Sequence, residues 1–175
     1  MDELLRYYEQ ELGVFGQLAR EFRERYPKLQ VEISISMARA NLSRREADVA
    51  LRLVDPATDD SAGDYIASRA GKLEFGLYGA AGMLKRRMPS KDDAPWQALD
   101  HVTWSEPWAE LPTAKWLRAI FHGKQPAVTC NSFHVQYAAM RTGLGVGLLP
   151  RFLGDADAAL QRIDHGRPEL SLDLW

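Results

Sequence analysis

The stretch Tyr137–Leu153, YAAMRTGLGVGLLPRFL, places glycine at positions 143, 145 and 147. Glycine at every second position invites a nucleotide-loop reading, and its flanks decide against it. Ser132 stands before a segment of helical length that reaches about Thr142, and serine is a favoured N-cap because its hydroxyl accepts an otherwise orphaned backbone N–H. Gly143 falls just past the end of that helix, where a left-handed residue terminates it without a Cβ penalty. Val146, Leu148 and Leu149 then make a short buried strand that Pro150 stops. The order is helix, glycine, strand. A phosphate-cradling loop needs strand, glycines, helix, and the spacing G-x-G-x-x-G. The stretch is therefore a helix–strand joint.

Working outward, the same alternation continues. LLRYYE (Leu4–Glu9) is a weakly patterned strand. From Leu12 to Tyr26, Phe15, Leu18, Ala19 and Phe22 recur at helical spacing, and Pro27 ends the helix by pushing the residue before it out of helical geometry. Val31, Ile33, Ile35 and Met37 alternate with polar residues in QVEISISM (Gln30–Met37), a half-buried strand. A short helix over Asn41–Ala47 leads to the strand VALRL, and the turn-rich Val54–Asp64 is a loop. Strands are predicted at Ile66–Ala70, Leu73–Tyr78, His101–Trp104 and Ala127–Cys130, with helices at Ala81–Met88 and Thr113–Phe121. The second helix carries Trp116, Leu117, Ile120 and Phe121 on one face. Such a succession implies an α/β protein with mostly parallel sheets, in two groups before and after residue 80.

Composition narrows the function classes. Apolar residues make up 46% of the 175 residues and charged residues 26%, a globular balance. With 22 basic against 24 acidic residues the net charge is −2, which makes a poor nucleic-acid binder by charge alone. One cysteine, Cys130, excludes an internal disulfide framework and suits a reducing compartment. No apolar run approaches the roughly 18 residues a membrane span needs, and MDELLRYYEQEL has no secretory pattern. A cytoplasmic protein without membrane contact is expected.

Three segments resemble the effector-binding domain of LysR-type transcriptional regulators. FRERYPKLQVEISISMARANLSRREADVALRL is similar to its first lobe, where a helix ends at Tyr-Pro and a strand, a short helix and an Asp-Val-Ala strand follow. IASRAGKLEFGLYGAAGML is similar to the crossing into the second lobe, and CNSFHVQYAAMRTGLGVGLLPRFL to the second-lobe helix with its Gly-Leu-Gly turn. The resemblance spans about residues 5–175. It implies a two-lobed fold like that of type 2 periplasmic binding proteins, with mostly parallel sheets joined by two crossover strands. Lobe I would hold residues 1–78 and 163–175, and lobe II residues 79–162. It further implies a small-molecule effector between the lobes, a homodimer, and DNA contact only through a separate N-terminal winged helix-turn-helix, absent from this chain. The final helix usual in such domains is expected to be missing as well, and SLDLW to begin a returning strand.

Ligands of doubly wound sheets bind beyond the carboxyl ends of strands. That rule points to Gln10 and Glu11, to Ser36 and Met37, to Trp104 and Ser105, and to Asn131, Ser132 and Phe133. The resemblance places effector contacts at these same loops. Ser132 can serve a carboxylate through its hydroxyl and the helix-opening amides, or simply cap the helix. Glu11 opposes an anion if it faces the cleft and otherwise caps the first helix. Phe133 can stack on an aromatic ligand or pack in the core, and the same alternatives hold for Trp104 and Trp108. Small carboxylates or aromatic acids would fit. Cofactor and metal are not expected, since histidines 101, 122, 134 and 165 lack ligand spacing. No nucleophile elbow or Walker loop occurs; Cys130 reads as a packed thiol rather than a nucleophile. A regulatory, non-enzymatic domain is the leading reading, with a solute-binding protein or a small α/β enzyme as alternatives.

Overall fold

The computed structural model describes residues 20–32, 42, 46–53, 66–88, 96–106 and 108–175. The chain divides into two units, Met1–Ala50 and Leu51–Trp175.

In the first unit, α1 is described over 20–25 and ends before Pro27, as the proline requires. Its last turn closes through the Tyr26 N–H donating to Phe22 O at 2.8 Å. Phe22, read as part of an apolar face, is 42% exposed and tilts against the Tyr26 ring. Residues 30–32 hold no regular element. The remainder of the strand expected over 30–37, the strand over 4–9 and nearly all of the short helix over 41–47 lie outside the described residues.

The second unit is built on one long strand, β1 (Gly71–Ala80). After it come α2 (Ala81–Arg87), β2 (Val102–Trp104), α3 (Pro112–Ile120), β3 (Val128–Cys130), α4 (Phe133–Arg141), β4 (Gly147–Pro150), α5 (Arg151–Gly154), β5 (Leu160–Arg162) and β6 (Ser171–Leu174). Single 3₁₀ turns occupy Trp96–Ala98 and Trp108–Glu110. β1 pairs antiparallel with β6 over 71–74, with β4 over 75–78 and with β5 over 78–80. β2 and β3 pair in parallel, and a parallel bridge joins His101 to Val146.

Of the two strands expected at 66–70 and 73–78, only the second forms, lengthened to Gly71–Ala80, while 66–70 is exposed chain without strand structure. The reason lies in burial. β1 alternates half-buried and exposed residues over 71–74, then is buried on both faces over 75–80, so no single period marks it. Parallel pairing holds β2, β3 and the His101–Val146 bridge, whereas β4, β5 and β6 each return the chain past β1 and so meet it head to tail. SLDLW forms a returning strand as expected. VALRL forms no regular strand, yet Arg52 exchanges both backbone hydrogen bonds with Trp175, each at 2.8 Å.

The helix–strand joint stands as read. Gly143 has φ +79°, and its N–H donates to Met140 O while Leu144 N–H donates to Ala139 O, both at 3.0 Å, so the last carbonyls of α4 are satisfied. Gly145 serves a different need: a Cβ there would stand 2.8 Å from the Asp100 carbonyl oxygen. The core gathers Phe75, Leu77, Leu117, Ile120, Phe121 and Val146, with Trp116 packed at its edge. Around α5, the buried Tyr78 hydroxyl donates to Asp155 at 2.7 Å, and burial followed by that carboxylate pushes the phenol's pKa up. Arg151 pairs with Glu74 at 2.9 Å and reaches Glu169 at 3.6 Å.

Candidate functional site

The parallel pair β2–β3 sets the geometry. Its register aligns Trp104 with Cys130, so both strands deliver their carboxyl ends to one place. Ser105 N–H donates to Cys130 O at 3.0 Å, tying the two following loops together. Trp104, Ser105, Asn131, Ser132 and Phe133 therefore cluster at the start of α4, as the strand-end rule anticipates. Gln10, Glu11, Ser36 and Met37 lie outside the described residues.

Each side chain has a definite posting. The Trp104 indole N–H donates to the Thr113 hydroxyl at 3.2 Å, which pins the ring against the first turn of α3. That bond supports the packing role for Trp104. Asn131 is exposed, and Ser105, Ser132 and Phe133 are half-buried. Ser132 occupies the N-cap position with extended backbone, φ −126° and ψ 128°, but its hydroxyl makes no capping hydrogen bond. Here the side-chain cap expected from sequence fails, although the helix boundary was placed correctly. Its carbonyl accepts the Gln136 N–H at 3.2 Å and the Cys130 thiol at 3.4 Å. The first turn of α4 holds no acidic residue. A helix N-terminus left this way favours an anion by roughly 0.3–1 kcal/mol.

Two further polar groups went unmarked in the sequence. Gln136, one turn into α4, is 3% exposed, and its Nε2 makes no well-formed hydrogen bond among the described residues, although its amide lies near enough to the Cys130 sulfur to favour the thiolate. Thr103 Oγ1 is likewise buried and unpartnered there. A glutamine inside a helix reads as solvated, so only burial reveals it. Burial raises the Cys130 thiol's pKa against the lesser opposing effects of the Ser132 backbone and the Gln136 amide. The thiol so stays protonated and donating, which does not suit a nucleophile. Among the described residues no group of three or more histidines, cysteines and carboxylates stands at metal-binding distance. No helix there is long and apolar enough to cross a membrane.

The far end of α4 is anchored by a buried carboxylate. Asp157, 9% exposed, accepts from the Tyr137 hydroxyl, takes the Ala159 N–H at 2.9 Å, and pairs with Arg141 at 3.0 Å. The helix that opens at Ser132 is thereby held from behind.

A family model described as the LysR substrate binding domain matches residues 10–175. Among solved structures, the regulatory domain of CrgA, a LysR-type transcriptional regulator from Neisseria meningitidis, superposes with TM-score 0.72 at 22% identity, covering 93% of this chain and 80% of that one. Full-length AphB, a Vibrio cholerae virulence activator, superposes with TM-score 0.66 at 16% identity over 90% of this chain and 54% of its own. Full-length CrgA gives 0.68 at 22% identity, over 91% of this chain and 55% of its own. The chain spans about half the length of these two full-length regulators. At such identities the superpositions speak for the fold. No curated protein matches the chain by sequence.

Proposed function

The chain belongs to the family of LysR substrate-binding domains, and on that premise we propose that it senses a small, anionic organic effector for a LysR-type transcriptional regulator. The observation that carries this reading is the convergence of two parallel strand ends on a helix start whose serine hydroxyl does not cap its own amides. Amides at the opening of α4 would bind a carboxylate, the Ser132 hydroxyl would add a donor, and Phe133 would offer an apolar face to the organic part. Gln10, Glu11, Ser36 and Met37 would complete the site from a first lobe of residues 1–78 and 163–175, opposite a second lobe of residues 79–162. Ligand would shift lobe closure by its differential affinity for the two states, and a homodimer would pass that shift to a separate DNA-binding domain in the cytoplasm. Matching structures are those of transcriptional regulators, which favours sensing over catalysis.

A thermal-shift screen of the chain against small organic acids and their amide counterparts tests the proposal. Carboxylates are expected to raise Tm and the amides to do so far less, with Ser132→Ala reducing the carboxylate shift. Equal shifts from acid and amide, or a shift indifferent to Ser132→Ala, would count against an anion at this helix start.

A further inference from the structure

Between β5 and β6 the chain makes an excursion from β1 and comes back to it. Ile163 N–H donates to Leu77 O at 2.8 Å, and Phe75 N–H donates to Leu170 O at 2.9 Å, so the segment leaves at one β1 residue and returns two residues away. What lies between is folded by its own side chains. Gly166, at φ +65°, donates its N–H to Asp164 Oδ1 at 3.1 Å. Arg167 N–H donates to His165 Nδ1 at 3.3 Å, and the Arg167 guanidinium reaches His122 Nε2 at 3.4 Å. A backbone N–H can only donate, so the His165 Nδ1 is the acceptor in its bond with Arg167. The His165 ring, 9% exposed, also stands edge-on to Trp116 at 5.1 Å and to Trp96 at 6.1 Å.

We propose that the segment 164–169 is an acid-sensitive flap, latched by the neutral His165 ring between two indoles and released when that ring takes a proton. Protonation turns the Nδ1 acceptor into a donor facing another donor, the Arg167 amide, and puts a charge on a ring that is only 9% exposed. The charged groups bearing on His165 are Glu169 and Asp164, which favour the cation, and Arg167, which opposes it; burial outweighs them and lowers the pKa. Glu169 is itself drawn toward Arg151 at 3.6 Å, on the α5 side of the flap. Because both ends stay bonded to β1, release opens the loop while the sheet persists. This device does not depend on which effector the domain binds.

Hydrogen exchange of the intact chain at pH 7.5 and 5.5, corrected for intrinsic rates, tests the latch. The Gly166 and Arg167 amides should lose about three- to tenfold in protection at the lower pH through local opening. About tenfold is the most that one imidazole of pKa 6.5 in the open loop can supply over this range. In His165→Asn the amide oxygen can still accept from Arg167 but cannot titrate, so the loss should vanish. Equal loss in the variant, or none in the wild type, overturns the flap. Should His165→Asn fail to fold, the wild type decides alone: the Arg167 amide must lose protection at the same midpoint at which the His165 ring signals titrate, and two distinct midpoints overturn the proposal.

Discussion

Replacing Gly145 by alanine probes the joint that organises the second unit. The new Cβ would stand 2.8 Å from the Asp100 carbonyl oxygen and 3.2 Å from the His101 carbonyl carbon, both backbone atoms. Neither can rotate away, because Val146 N–H donates to that same Asp100 oxygen at 2.8 Å and Val102 N–H donates to Val146 O at 2.8 Å. Relief requires separating the two segments. Overpacking of this kind costs about 1–3 kcal/mol, and each backbone hydrogen bond weakened adds roughly 0.5–1.5 kcal/mol. A loss of about 3 kcal/mol is expected. The neighbouring glycines calibrate it. Gly143→Ala forces a left-handed alanine at φ +79°, worth about 1–2 kcal/mol. Gly147→Ala meets the flexible Met140 thioether at 2.7 Å and the Val102 carbonyl oxygen only at 3.2 Å, which puts it at the low end of overpacking, about 1 kcal/mol. Urea unfolding of the three variants at pH 7.5, followed by tryptophan fluorescence with m unchanged, measures the order. If Gly145→Ala proves milder than Gly147→Ala, the close-approach reasoning is wrong.

Ser132→Ala should leave stability within about 0.5 kcal/mol of wild type, because the hydroxyl forms no cap, whereas a true N-cap serine loses roughly 0.5–2 kcal/mol; urea midpoints decide. Asp157→Ala strips a buried acceptor from Tyr137, Arg141 and the Ala159 amide, and a loss of about 2–4 kcal/mol should appear in the same assay. Buried His101 is 2% exposed, stacks on Phe121 at 4.3 Å and has an Nδ1 without a hydrogen-bond partner among the described residues. Burial first, then Lys124, lowers its pKa below 6.5 against an opposing pull from Asp100, so the unfolded chain takes up the proton first. Stability should therefore be full above pH 6.5 and fall as pH drops below it. His101→Phe should flatten that acid limb, and an unchanged slope between pH 7.5 and 5.5 would refute the assignment.

Much was legible from residue order alone. The boundaries of α3 and α4, the left-handed Gly143, and the strand ends holding Trp104, Ser105, Asn131, Ser132 and Phe133 follow from period, cap and stop signals within a few residues of one another. The true bounds of β1 and the loss of the strand expected at 66–70 did not follow, because a strand buried on both faces over half its length carries no alternation and 66–70 is exposed. Nor did the role of Gly145, whose neighbour Asp100 is remote in sequence, or the burial of Gln136, His101 and His165. Local rules act over the reach of one turn, and these residues set what forms here by themselves. Which polar groups are shut away from water, and which donor meets which acceptor, depends on segments dozens of residues apart, as with Tyr137 and Asp157 or His122 and Arg167. Those pairings exist only once the sheet has brought the segments together.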